Sequence, residues 1–356
     1  MTRHARLSYL AALLATALMG CSTDSANGGA AGGAAGASGA GASATGGSAT
    51  GGSGNNGGAN ASGASSGTAG ATGTAGATGT AGSAGSAGTA GNATTSACPG
   101  ARPDATNTGV PAGVTLTVVD HDVTLDQDNA TLDASDVHGF VIVKANGVQI
   151  TRSIVRGGVA SQNGDGIEVV SGANTLIEDS EVALANPSPY LDGIACSDCV
   201  VRRANIHGGV DGMKLGSNGT VECSYIHDLS SFASDPNQGG GPTHNDAIQI
   251  LSGSTIRVQN NQLLAATDQN SAIQVTQDFG LVSDLVISGN YADGGGCTFN
   301  FSHKGGASLA VTVTDNRFGR SSFYDCPILE STQTTLTQSG NVWDDDGTDV
   351  PIQTHD

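Results

Sequence analysis

The sequence predicts an all-β solenoid, a stack of short coils in which each turn of chain lies on the one before. Two repeating columns and a nearly constant spacing carry that expectation. Aligned on apolar-x-apolar, two polar residues and a small polar residue, the chain reads QITRSIV, LIEDSEV, VVRRANI, VECSYI, RVQNNQL, VISGNYA, VTDNRF and TQSGNVW. The aligned small residues are Ser153, Ser180, Ala204, Ser224, Asn261, Asn290, Asn316 and Asn341, at spacings of 27, 24, 20, 37, 29, 26 and 25. A second column precedes them, DGIEV, DGIAC, DGMKL, DAIQI and SAIQV, beginning at Asp165, Asp192, Asp211, Asp246 and Ser271.

Each unit alternates apolar and polar residues with period two, the mark of a half-buried strand. Gly, Asn and Asp between units supply turns. A period near 25 with short strands describes a solenoid whose coils stack at ~4.8 Å, so that equivalent side chains form ladders. The Asn/Ser column is then an internal ladder that satisfies backbone groups at the turns. About 8–10 coils fit between Val114 and Trp343. That region, through units such as NGDGIEVV and HNDAIQI, resembles right-handed parallel β-helix proteins of the pectin-lyase-like superfamily. The resemblance implies the fold. It leaves the activity open, because the superfamily includes lyases, epimerases, hydrolases and adhesins.

Taken in order, residues 1–20 read as an export signal: Arg3 and Arg6, then the apolar stretch Leu7 to Met19. That stretch is too short for a membrane span. Leu18-Met19-Gly20-Cys21 resembles a bacterial lipobox, which implies cleavage before Cys21 and acylation of its thiol; the alternative is an ordinary signal peptide. Ser22 after the cysteine implies, by the same resemblance, an outer-membrane or cell-surface location. Residues 21–97 are Gly-, Ala-, Ser- and Thr-rich. They have no apolar face to bury, so they are expected to be a disordered tether. Residues 98–356 form the expected β-helix domain. Cys98 to Val114 is a candidate cap over its first coil, and VTLTVVDHDVTLD and FVIVKANGVQI start the stack. The 37-residue spacing holds a Gly-, Pro- and Ser-rich insertion from His227 to Thr243, expected to border a groove. The end, with Asp344, Asp345 and Asp346, reads as a last coil whose acidic turn is either solvated or a calcium ligand set.

The formal charge is -19. So acidic a chain has no electrostatic footprint for nucleic acid or an anionic membrane surface, and membrane contact is expected through the lipid alone. A monomer is expected.

In the DGxxx column the fourth residues are Glu168, Ala195, Lys214, Gln249 and Gln274. This register sets Lys214 beside Asp211 and one coil from His244 and Asp246. Lys214, His244, Asp246 and Asp211 are the candidate catalytic residues. Gln249, Gln274, Asn245 and Asp192 are the candidate substrate contacts, and Asp192 with Asp211 the candidate metal (calcium) ligands. A strip of Lys, His, Asp and Gln suits C5 proton abstraction from a uronic-acid polysaccharide, by a lyase or epimerase. The sugar carboxylate needs a neutralising Lys or calcium, and an imidazole takes the proton. His244-x-Asp246 is similar to part of the Asp-Pro-His motif of alginate epimerases, which implies a role for His244 only, since no Asp precedes it directly. A glycoside hydrolase would instead use paired carboxyls drawn from Asp192, Asp211 and Asp246. A non-catalytic glycan-binding or adhesin-like β-helix needs none of this chemistry. The plainest reading of the Asp-Gly repeats is turn-making, and His207 and His227, in equivalent turns, suit structural roles.

Seven cysteines leave six if Cys21 is acylated, an even number for an oxidising compartment. Cys297 and Cys326 fall near equivalent places on successive coils and are expected to bridge. Cys196 and Cys199 either close a small loop or donate one partner to Cys223.

Overall fold

The computed structural model describes residues 98, 101–265, 270–302 and 308–355. The expectations placed on residues 1–97, including the acyl site Cys21, lie outside the described residues. Among the described residues no helix is long and apolar enough to cross a membrane.

The chain forms a parallel β-helix. Its strands fall into three parallel sheets, two of ten strands and one of nine, and each coil contributes one strand to each in turn. Sheet 1 runs from Thr117–Val119 to Val342–Trp343, sheet 2 from Val123–Leu125 to Ile352–His355, and sheet 3 from Thr131–Asp133 to Thr334–Ser339. The only helical element described is the 3-10 turn Pro236–Gln238 in the insertion.

Inward residues stack into apolar columns. Under sheet 2 the column is Val141, Ile167, Ile194, Met213, Ile248, Ile273, Phe299 and Ile328, all fully buried. Each such side chain stabilises by about 1.5–3 kcal/mol relative to exposure. Because strand alternation has period two, a slip of one residue would turn every member outward, so this core fixes the register.

Between sheets 3 and 1 the chain turns through a residue in the left-handed region in coil after coil: Arg152, Asp179, Arg203, Asn260 and Asp315 among them. The next residue is the expected ladder rung. The Ser153 N–H donates to Ser180 Oγ (3.2 Å), Ser224 N–H to Asn261 Oδ1 (2.9 Å), Asn261 N–H to Asn290 Oδ1 (2.9 Å) and Asn290 N–H to Asn316 Oδ1 (3.0 Å). The left-handed turn opens the backbone hydrogen bonding of one residue, and the buried amide of the next coil satisfies it.

Cys98 and residues 101–114 do not form the expected cap. They form a strap along the outside of sheet 1. Cys98 is joined to Cys223, the Gly109 N–H donates to the Arg203 carbonyl at 2.8 Å, and the Arg102 guanidinium lies 3.6 Å over the Tyr291 ring while donating to Asp344. A side chain at Gly109, where φ is +75°, would meet Asn205 at 3.0 Å, so glycine lets the strap lie flat. The other two bridges are Cys297–Cys326, between register partners, and Cys196–Cys199, which closes a small turn. Cys223 therefore pairs with the strap and not with the Cys196 turn.

Candidate functional site

The Asp column lies where the chain enters sheet 2. Asp165 and Asp192 are register partners, and Asp211 and Asp246 continue the line. Asp-Gly is required here by packing as well as by turn preference. A Cβ at Gly212 would sit 2.3 Å from Ile226 Cγ2 and 2.6 Å from the Ala247 carbonyl oxygen.

Three of the four carboxyls fasten one coil to the next. Asp192 Oδ1 accepts the Asp211 N–H (2.8 Å), Asp211 Oδ1 accepts the Asp246 N–H (2.9 Å), and Asp246 Oδ1 accepts the Ser271 N–H (3.0 Å). Asp165 departs from the pattern. Its Oδ1 is buried and has no hydrogen-bond partner among the described residues. Leaving such an atom unpaired costs about 1–3 kcal/mol.

Lys214 folds back onto this column. Its ammonium is paired with Asp192 and lies 3.7 Å from Asp211 Oδ2. Burial opposes its charge, but the facing carboxylates outweigh that and hold it protonated above its usual range. The side chain is 38% exposed, so the outer part of the pair meets solvent. The other carboxyls shift upward. Burial, then the Asp192 charge, raises Asp165 to about 7, against the pull of Lys214. Asp211 is pushed well above the carboxylate range by burial and by Asp192. Asp246, 0% exposed, is raised to about 7 by burial, while hydrogen bonds from Asn270, Ser271 and Gln249 act the other way. The column therefore sets carboxyls raised by burial beside one that is ion-paired with Lys214, a division of environments that proton-transfer sites use.

The outward column beside it has the predicted register: Glu168, Ala195, Lys214, Gln249, Gln274 and then Asn300. Gln249 donates to Asp246 Oδ2 at 3.3 Å and Gln274 to Ser302 Oγ at 3.4 Å.

The insertion borders both columns. Its root is held by Thr243, whose N–H donates to the Phe232 carbonyl at 2.9 Å, and by Asn245, whose amide reaches the carbonyls of Val210 and Ser230. Its tip is the 3-10 turn, capped by Asp235, and Asn237 Nδ2 donates to Asn163 Oδ1 at 2.8 Å. The root ends at Asn245, directly before Asp246, and the tip touches Asn163, two residues before Asp165. The insertion thus doubles back along three coils, roughly 14 Å at the stacking distance of a sheet.

The structure brings Lys214, Asp192 and Asp211 into contact and sets Asp246 and Gln249 one coil away. Asn245, 1% exposed, has its amide committed to the loop root, so it holds the wall and does not face the groove. His244 is half-buried, and burial lowers its pKa against the opposing charge of Asp235. Its ring makes no hydrogen bond or carboxylate pair among the described residues, so it is not coupled to Asp246 as the spacing suggested. Asp192 and Asp211 are committed to Lys214 and backbone N–H groups, and no group of three ligand-type residues among the described residues is arranged to hold a metal ion. The acidic turn is answered by arginines: Arg317 and Arg102 pair with Asp344, and Arg320 with Asp345 and Asp346. His207 pairs with Glu181, and His227 is hydrogen-bonded to Asn205 and Asp228 and stacked on Tyr225.

The singular position of Asp165 escaped sequence reasoning. No local signal marks it, since Asp165 and Asp192 share the sequence Asp-Gly-Ile. No family model, no curated protein and no solved structure matches the chain.

Proposed function

We propose that the outer face of sheet 2 is a polysaccharide site and that the protein is a carbohydrate-active β-helix of the pectin-lyase-like kind, cleaving glycosidic bonds through paired carboxyls. The observation that carries this is the column itself: a carboxyl raised to about 7 at Asp165 beside the ion-paired Asp192 and Lys214, with the tip of the insertion held at Asn163, two residues before Asp165. Glycosidic cleavage needs one carboxyl as acid and another as base or nucleophile.

C5 proton abstraction from a uronic acid is the second reading. His244 favours it, because burial keeps its imidazole neutral and its ring is uncommitted. It ranks second on charge. Lys214 is already answered by Asp192 and Asp211, so the ammonium at the Asp column is not free to neutralise a uronate unless calcium does so. We propose further that the protein is exported, anchored through an acylated Cys21 at the outer membrane or cell surface, carried on the 21–97 tether, and monomeric.

The test incubates the protein with neutral polysaccharides and with uronic-acid polymers, with and without calcium. New reducing ends without ultraviolet absorbance support hydrolysis. Absorbance from unsaturated ends supports elimination, and an NMR change at C5 without cleavage supports epimerisation. Retention on an immobilised glycan with no turnover leaves a binding or adhesin role and ends the enzymatic reading.

A further inference from the structure

We propose that Asp165 and Glu168 are the acid–base pair of this site, that the gap above Ala195 receives the sugar ring, and that the substrate is a neutral glycan. The inference rests on the polysaccharide reading above. Its starting point is the unequal use of four similar carboxyls. Asp192, Asp211 and Asp246 each have Oδ1 committed to the N–H of the next coil, and Asp192 is also paired with Lys214. Replacing any of these with a residue that lacks that oxygen loosens the stack. Asp165 is in register with them but fastens nothing, and its Oδ1 is buried without a partner among the described residues. A buried acceptor left open in this way calls for an explanation beyond packing.

Glu168 follows three residues later on the same strand, Gly164–Val169. It is half-exposed and makes no hydrogen bond or ion pair among the described residues. It is near enough that its charge helps keep the proton on Asp165. One strand therefore carries a protonated acid and an uncommitted carboxylate side by side. In the outward column the next residue is Ala195, and Lys214 stands beyond it. Ala195 offers only a methyl between Glu168 and the root of Lys214, whose ammonium is drawn back to Asp192, and this low point of the column seats the sugar ring. The Asn163–Asn237 contact holds the tip of the insertion two residues before Asp165. The Lys214 charge is committed to Asp192 and Asp211, and Glu168 is the neighbouring outward residue, so a uronate beside it would meet a like charge.

The step is hydrolysis. Asp165 gives its proton to the glycosidic oxygen as the C1–O bond breaks. Water adds to C1, and Glu168 takes the proton that water loses. Solvent then returns one proton to Asp165 and removes one from Glu168, so that the sum is glycoside plus water giving two sugars.

The experiment uses the full chain and compares wild type with Asp165→Asn and Glu168→Gln. The substrates are β-glucan, xylan, mannan and starch-type glucans, together with aryl glycosides of the sugars released. Both variants are expected to fold cooperatively, Asp165→Asn with a melting temperature at or above wild type's near pH 7, and to lose at least about a hundredfold in kcat. Asp165→Asn should lose the alkaline limb of the pH profile near 7 and recover much of its rate on aryl glycosides, whose leaving group needs no proton. Glu168→Gln should be rescued by azide, which supplies the missing nucleophile. If wild type cleaves a neutral glycan and both folded variants cleave it within twofold, the pair is wrong and the hydrolytic site stands elsewhere. Cleavage confined to uronic polymers would overturn the neutral-glycan assignment. If wild type cleaves nothing, the hydrolytic reading of the site fails and takes the pair with it.

Discussion

Asp211 Oδ1 accepts the backbone N–H of Asp246 at 2.9 Å, although 35 residues separate the two in the chain. The insertion lies within that interval, yet the contact has the same form as the one between Asp192 and Asp211. The long loop leaves the coil register untouched because its length is taken up outside the stack.

The role of Asp211 as a fastener makes its shape matter more than its charge. Asp211→Asn keeps an oxygen for the Asp246 N–H and is expected to change stability by less than about 1 kcal/mol. Asp211→Ala leaves that buried donor unpaired and should cost about 1–3 kcal/mol. Chemical denaturation of the two variants separates them.

Stability should fall as pH rises from about 4 to 7. Asp165 and Asp246 have folded pKa values near 7, above their unfolded values, so the folded state binds more protons across that window. Their stabilising contribution is complete below the unfolded value and is lost as pH passes 7, at up to about 1.4 kcal/mol per pH unit for each proton. The lowered pKa values of His227 and His244 act in the opposite sense below pH 6.5. Asp246→Asn isolates the carboxyl effect: its melting temperature should vary less with pH than wild type's and exceed it at pH 8. A variant with the wild-type slope would contradict the assignment.

The internal ladder has one missing rung. Ala204 stands where other coils place an oxygen, so Ser180 N–H receives no acceptor from it, whereas the Ser153 N–H is met by Ser180 Oγ at 3.2 Å. Ala204→Ser should raise stability by about 1 kcal/mol. Asn290→Ala removes the acceptor of the Asn261 N–H and the donor to the Val258 carbonyl, and should lower it by about 2–4 kcal/mol. Opposite signs in thermal unfolding are the outcome to look for.

Gly212→Ala drives a methyl into Ile226 and the Ala247 carbonyl oxygen. A cost of about 1–3 kcal/mol is expected. Because Gly212 lies between Asp211 and Lys214, any glycan turnover should fall with it.

Cutting the strap's covalent tie, with Cys98→Ser and Cys223→Ser together, should cost about 2–4 kcal/mol. Hydrogen exchange should quicken across 101–113 while the strands of sheet 2 keep their protection. Equal loosening of both would mean that the strap is part of the core and not a surface tie.

Much of the fold was legible because a solenoid repeats its local rules. The alternation in DGIEV and DAIQI fixed which residues face inward, and the Ser/Asn positions marked the ladder before any coordinate. The column Glu168, Ala195, Lys214, Gln249 and Gln274 followed from the same register, as did the Cys297–Cys326 bridge. The strap was not legible, since Cys98 meets Cys223 across 125 residues with no periodic signal between them. Nor was the burial of Asn245 in the loop root.

The sequence by itself determined the coil, its register and the stacking of like on like, because strand alternation and turn chemistry act over a few residues. Only the tertiary structure decided which carboxyls are fasteners and which one stands free. Asp165 and Asp192 share the same local Asp-Gly-Ile sequence. What separates them is the next coil, which gives Asp192 an N–H and an ammonium to hold and leaves Asp165 Oδ1 without a partner.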